Sequence, residues 1–197
     1  MKLGEFRTSF LIVGLMLALI AASPALSLIS IPTSEERFSE LWLLGPEHTA
    51  GNYPFNVSAN EEYNIYVGVG NQLGESAYYT VYVKLGNQTH QIPNSTTAEP
   101  SPLSPLYEFC FILSDGKVWE TPLAFATDYV LLQQNATVNT ISINGNTFPV
   151  NYTSTWDPDR NGFYFQMIFE LWYYDNASSV FQYHNQYTNL WLNMTGA

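Results

Sequence analysis

The chain has 197 residues, with 6 Lys+Arg against 17 Asp+Glu, and 12% charged, 46% apolar and 16% aromatic residues. So few cations cannot neutralise a run of phosphates, which excludes nucleic acid as a partner, and so apolar a chain is not intrinsically disordered. A single cysteine excludes a disulfide framework and any cysteine-rich metal site, and the length suits one domain with a sizeable core.

The first 25 residues read as a signal peptide. Lys2 and Arg7 form a basic start, Phe10–Ala22 is an apolar run, and Ser23-Pro24-Ala25 supplies small residues for cleavage after Ala25. The alternative is an uncleaved membrane anchor, for which the run is short. Membrane contact is therefore expected to be transient, through this segment alone. Export agrees with seven Asn-x-Ser/Thr sequons, at Asn56, Asn87, Asn94, Asn135, Asn151, Asn176 and Asn193. The Asn, Ser and Thr content would produce about three by chance. N-linked glycans are thus expected, and they would keep so weakly charged a surface soluble. No other cofactor is expected.

Residues 26–36 form a distinct piece. Leu26-Ser-Leu-Ile-Ser-Ile31 is extended and apolar, and Pro32–Glu36 is a polar linker. Leu26, Leu28, Ile29 and Ile31 could fill a first strand of the chain's own sheet, or pair as a donor strand with another copy. A head-to-tail contact of the second kind does not close, so it builds filaments.

Residues 37–197 read as a run of strands with period-two alternation between turn residues. Phe38–Leu44 comes first. Tyr63–Val69 follows, with Tyr63, Ile65, Val67 and Val69 on one face. In Ala77–Leu85, Tyr79, Val81, Val83 and Leu85 face one side, and Tyr78, Thr80, Tyr82 and Lys84 the other. A long proline-marked loop (Pro93, Pro100, Pro102, Pro105) precedes a strand at Leu106–Leu113 whose partner lies near Trp119. Cys110, between Phe109 and Phe111, reads as a buried small hydrophobe. Thr137–Ile143 and Thr147–Tyr152 flank Asn144-Gly145, a hairpin signal. Phe163–Tyr174 and Tyr187–Met194 close the chain. Phe163–Tyr174 is apolar on both strand faces, which suits a central strand buried on one side and covered by glycan or a neighbour on the other. A sugar-binding aromatic platform is the functional alternative. The expectation is an all-β, antiparallel, immunoglobulin-like sandwich of eight or nine strands.

Catalytic material is scarce. His48, His90 and His184 are scattered, and the usual metal, nucleophile and nucleotide motifs do not occur. The adjacent pairs Glu35-Glu36 and Glu61-Glu62 point to opposite faces of an extended chain. Asp157-Pro-Asp-Arg-Asn-Gly162 imitates the first half of a calcium loop, but Ile168 stands where the bidentate Glu belongs, so it reads as a turn. No catalytic, cofactor or metal residues are expected.

Several pieces together resemble the archaeal domain family 1616 of unknown function. They are Leu44-Gly-Pro-Glu-His-Thr-Ala-Gly-Asn-Tyr-Pro54, Glu61-Glu62, Ile65-Tyr-Val-Gly-Val-Gly-Asn71, Tyr79-Thr-Val-Tyr-Val83, Val118-Trp-Glu-Thr-Pro-Leu-Ala-Phe125 and Tyr187-Thr-Asn-Leu-Trp-Leu-Asn-Met194. The resemblance implies an extracellular immunoglobulin-like sandwich without enzyme activity. Members often follow several membrane helices, whereas here a signal peptide stands first, and Ala124–Asn161 is longer than the family pattern. The overall organisation also resembles an archaeal thread subunit, in which each N-terminal strand completes the next subunit's sandwich. Burying three or four donor side chains would supply roughly 6–10 kcal/mol before ordering costs. The expected function is a structural subunit of a glycosylated, secreted surface filament, with other copies of itself as partners. The rival is a monomeric or membrane-anchored surface domain that binds a ligand or an envelope partner.

Overall fold

The computed structural model describes Phe6, residues 11–17 and residues 37–195. Phe6 and residues 11–17 are helical and belong to a unit, Met1–Glu36, separate from the domain Arg37–Ala197. No helix among the described residues is long and apolar enough to cross a membrane. The cleavage site at Ala25 and the donor residues Leu26, Leu28, Ile29 and Ile31 lie outside the described residues.

Period-two alternation becomes ten strands: β1 (Phe38–Leu44), β2 (Asn56–Val57), β3 (Glu62–Gln72), β4 (Ala77–Asn87), β5 (Tyr107–Leu113), β6 (Val118–Leu132), β7 (Asn135–Ile143), β8 (Asn146–Thr155), β9 (Tyr164–Asp175) and β10 (Val180–Met194). They form two five-stranded sheets, A in the order β1-β3-β6-β7-β8 and B in the order β2-β10-β9-β4-β5. Every pairing is antiparallel except the two-residue match of β2 to β10. The sandwich is thus all-β, as expected. Its tenth strand, β2, has no alternation long enough to read from sequence.

The inner faces interdigitate. Ile65, Val67 and Val69 of β3, Tyr79, Val81 and Val83 of β4, and Phe165, Met167, Phe169 and Leu171 of β9 are all fully buried. Complete burial of such a side chain contributes about 1.5–3 kcal/mol, so this layer dominates the stability. The stretch Ala124–Asn161 supplies most of β6, all of β7 and β8, and so more than half of sheet A. Asn144 and Gly145 make the β7–β8 turn with positive φ at both positions, 48° and 79°, the geometry that closes a two-residue hairpin.

Asn71, at the end of β3, ties one end of the sandwich together. Its Nδ2 donates to Leu113 O and Glu75 O, both at 2.8 Å. Its Oδ1 accepts from Leu73 N at 3.0 Å and from the Tyr79 hydroxyl at 3.1 Å. The side chain has four hydrogen-bonding sites and uses all four. The network continues through Tyr79 and Ser39 (2.6 Å) to His184 Nε2 (2.9 Å), joining both sheets. Burial holds His184 below its ordinary pKa of 6.5. The folded chain therefore resists protonation that the unfolded chain accepts. Stability should fall as pH drops from 6.5 towards the lowered value, then level off. His184→Gln should flatten that segment of a stability-versus-pH curve measured by denaturant unfolding; an unchanged slope would remove His184 as its source.

Candidate functional site

Asp157-Pro-Asp-Arg-Asn-Gly162 is a turn, not a metal loop. Asp157 and Gly162 exchange backbone hydrogen bonds, and Asp157 Oδ1 accepts from the amides of Asp159 and Arg160 at 3.0 and 3.2 Å. Among the described residues no group of His, Cys, Asp or Glu is placed to hold a metal. His48 lies beside Glu120 (3.0 Å), His90 Nδ1 accepts from Asn87 N (3.0 Å), and His184 belongs to the network above, so the three histidines do not converge.

The outer face of sheet B departs from expectation. Lys84 was placed on the side opposite the core, yet it is only 3% exposed. Its ammonium sits 2.8 Å from Glu170 Oε2 and donates to Ser101 O at 2.8 Å. Glu170 also accepts from Ser101 N (2.8 Å) and Trp172 Nε1 (3.1 Å). The proline-marked loop, latched at Ser101, therefore lies over this half of the sheet. No glycan or neighbour is needed to cover it, and the paired charges meet most of each other's hydrogen-bonding demand.

Beyond the loop the same face is aromatic. Tyr78, Tyr174 and Phe181 form one group, with ring centroids 5.0–6.2 Å apart, and Tyr82, Trp172 and Tyr183 another, with neighbouring rings at 5.5 and 5.7 Å. The Tyr183 hydroxyl is buried without a partner. Burial and the nearby Glu170 charge push its pKa far above the usual value. The aromatic stretch Phe163–Tyr174 is thus divided: Phe165, Met167, Phe169 and Leu171 serve the core, while Trp172 and Tyr174 face outward.

Cys110 is a correction. It is exposed, not buried. On β5 the inward positions belong to Tyr107, Phe109 and Phe111, so the intervening residues Glu108, Cys110 and Ile112 point to the outer face. β5 is an edge strand among the described residues, and Ile112 is 75% exposed on that face.

The inner side of β5 borders a seam between the sheets. Tyr107, Phe109 and Phe111 face Trp119 of β6 and Phe148 of β8. Phe111 stacks on Trp119 at 3.9 Å, Phe109 meets Trp119 at 5.4 Å, and Tyr107 meets Phe148 at 6.4 Å. All five, with Val150 and Tyr152 of β8, pack against the core yet stay half-exposed. At the opposite border Ser39 and Leu43 of β1 and Val57 of β2 are buried. The sandwich is therefore closed along one side and partly open along the other. The alternation of β5 and β8 held this information, but only pairing shows that both are edges.

The seven sequons fall into two groups. Asn87 and Asn193 are buried, and their Nδ2 atoms donate to Thr153 O (2.7 Å) and Asn56 Oδ1 (3.0 Å). Asn193 Oδ1 also accepts from Phe163 N, and a β-carbon on Gly162 would lie 2.3 Å from that oxygen. Asn56, Asn94, Asn151 and Asn176 are exposed and Asn135 is half-exposed.

No protein of curated function matches the chain. Among solved structures, a β-glucosidase from Listeria innocua in complex with isofagomine is similar over 82% of this chain and 16% of its own, with TM-score 0.39 and 9% identity. The β-glucuronidase 2 of Bacteroides uniformis is similar over 78% of this chain and 13% of its own, with TM-score 0.36 and 11% identity. The chain thus spans less than a fifth of either enzyme, and likeness at this level carries nothing about activity. Residues 32–195 match the family described as Domain of unknown function (DUF1616), and the chain belongs to that family.

Proposed function

We propose that this protein is a non-enzymatic, exported subunit of a surface filament, joined to its neighbour by the Leu26–Ile31 strand. The half-open aromatic seam between β5 and β8 carries the reading. A β-sandwich that stood alone would gain from closing it, and the sequence holds an uncharged, largely apolar segment, Leu26–Ile31, ahead of the polar stretch Pro32–Glu36. The test is negative-stain electron microscopy of protein taken from its native surface without denaturant, beside a variant lacking residues 26–31. Thin filaments for the first and monomers for the second are expected. Filaments that survive the deletion would sink the idea, as would single particles from the intact protein.

Export and glycosylation belong to the same proposal, and burial divides the sequons. A glycan is attached when Nδ2 bonds to the anomeric carbon of an activated glycosyl phosphate, with loss of the phosphate leaving group and one Nδ2 proton. In the folded chain that nitrogen is sealed at Asn87 and Asn193. Glycopeptide mass spectrometry should find sugar at Asn56, Asn94, Asn135, Asn151 and Asn176, and none at the other two. An unmodified protein would remove glycosylation altogether.

The second reading is a surface module that binds a ligand on the outer face of sheet B. The six-ring aromatic surface around Trp172 favours it. Single particles whose ligand binding is lost in Trp172→Ala would select this reading over the first.

A further inference from the structure

Among the described residues the sandwich leaves unpaired edges at β1, β2, β5 and β8, along the part of β10 before Asn193 that β2 does not reach, and at the start of β6 before Phe125, and an added strand must choose among them. We propose that the acceptor is β5, and that the occupant is the Leu26–Ile31 segment of a second copy. This rests on the filament reading above and adds the surface that would make the joint.

The other edges are poorer seats. The free start of β6 contains Pro122, and the free length of β10 is interrupted by a register shift between Tyr183 and Gln186 and by Asn185 with φ of 54°. β2 pairs over only two residues, too few to template a strand. β8 contains Pro149, which has no amide proton to donate, and Asn151 with φ of 56°, at an irregularity where its register to β7 shifts. These are devices that spoil an edge for pairing. Asn151 is also an exposed sequon. β1 lies on the closed side, where its inward Ser39 and Leu43 are already buried, so although Phe38 is exposed and Leu41 half-buried, an added strand would find less open inward surface there than at β5.

β5 differs on each count. It is seven residues long, a match for the six of the donor, and it holds neither proline, glycine, sequon nor positive φ. Its backbone pairs with β4 on one side, and none of the described strands pairs with the other. Both of its faces keep apolar side chains partly exposed. Inward are the half-exposed Tyr107, Phe109 and Phe111; outward is Ile112, 75% exposed, across from Tyr78 at 39%. The donor has a matching pattern. In an extended chain Leu26 and Leu28 lie on one face, and Ile29 and Ile31 on the other. One pair would enter the seam against Phe109, Phe111 and Phe148, and the other would lie over the Ile112 side. An ordinary edge with one solvated face would leave half of this donor in water.

Cys110 makes the proposal testable, because it is the chain's one cysteine, it is exposed, and it sits at the middle of β5. A strand paired with β5 brings its facing Cα to about 4.5–5.5 Å, within the range a disulfide spans. Residues 26 to 31 would be replaced by cysteine one at a time in the full chain, and the assembled protein treated with a mild oxidant. The thiols of the new cysteine and of Cys110 in the next copy lose two protons and two electrons to the oxidant as the S–S bond forms. The residue in register with Cys110 should give a ladder of dimers, trimers and longer species on a non-reducing gel. The ladder should collapse on reduction and be absent when Cys110→Ser is added. Alternating Cys110–Cys110 and donor–donor disulfides would also give a ladder, so mass spectrometry of the cross-linked peptides must show the new cysteine joined to Cys110 for the ladder to report the donor–β5 joint. Filaments that form in all six variants without that joint would overturn β5 as the acceptor and leave the filament reading intact. An intact chain that forms no filaments would overturn both.

Discussion

Replacing Lys84 by methionine should lower the melting temperature by about 10 °C. Glu170 is fully buried, and among the described residues its carboxylate has the Lys84 ammonium, at 2.8 Å, as its charged partner. Breaking a buried pair by removing one partner is worth about 3–5 kcal/mol, because a lone charge remains in the interior. For a domain of this size each kcal/mol moves the midpoint by about 2–4 °C. The double variant Lys84→Met with Glu170→Gln should regain more than half of the loss at neutral pH. Thermal unfolding followed by circular dichroism measures both variants, and a Lys84→Met midpoint within about 2 °C of the parent would refute the assignment.

Asn71→Ala should destabilise the domain by about 3 kcal/mol, since it removes the partner of the buried Leu113 O and of the part-buried Glu75 O and Leu73 N, and leaves the Tyr79 hydroxyl only Ser39. Asn71→Asp has the same shape but puts an acceptor against Leu113 O and Glu75 O, so it should rescue little. Denaturant unfolding of the two variants separates hydrogen bonding from volume. If Asp restores most of the stability, the donors to those two carbonyls are not what holds the corner.

Local pattern carried much of the fold. β1 is found where its sequence placed it, and the four core residues of β4 face inward as their alternation required. The outer face of β4 also carries the residues its alternation assigned to it, but alternation says only which side of a sheet a residue occupies, not what covers that side. Lys84 is buried by a loop that begins after β4 and returns at Ser101, a contact no window of residues contains. β6 was seen only at its start, since Pro122 and Thr121 interrupt its apolar run. The structure accommodates Pro122 because β7 pairs with β6 only from Phe125 onward, leaving the earlier part flanked by β3 alone. Cys110 was misread for a related reason. Its aromatic neighbours suggested a core, but on an edge strand the residue between two inward aromatics is exposed. The sequons were legible as motifs, while the sealing of Asn87 and Asn193 depends on partners 66 and 137 positions away.

The burial of Lys84 has an electrostatic consequence at long range. It leaves Arg37, Lys117 and Arg160 as the exposed cations of the domain, in a chain whose net charge is −11. Two copies therefore approach through a repulsive field of one sign, which acts over a screening length of about 10 Å in 0.1 M salt and about 3 Å in 1 M. An apolar seat such as the β5 seam attracts only at contact. Association should therefore accelerate steeply with ionic strength, while the lifetime of a joint, once made, should change little.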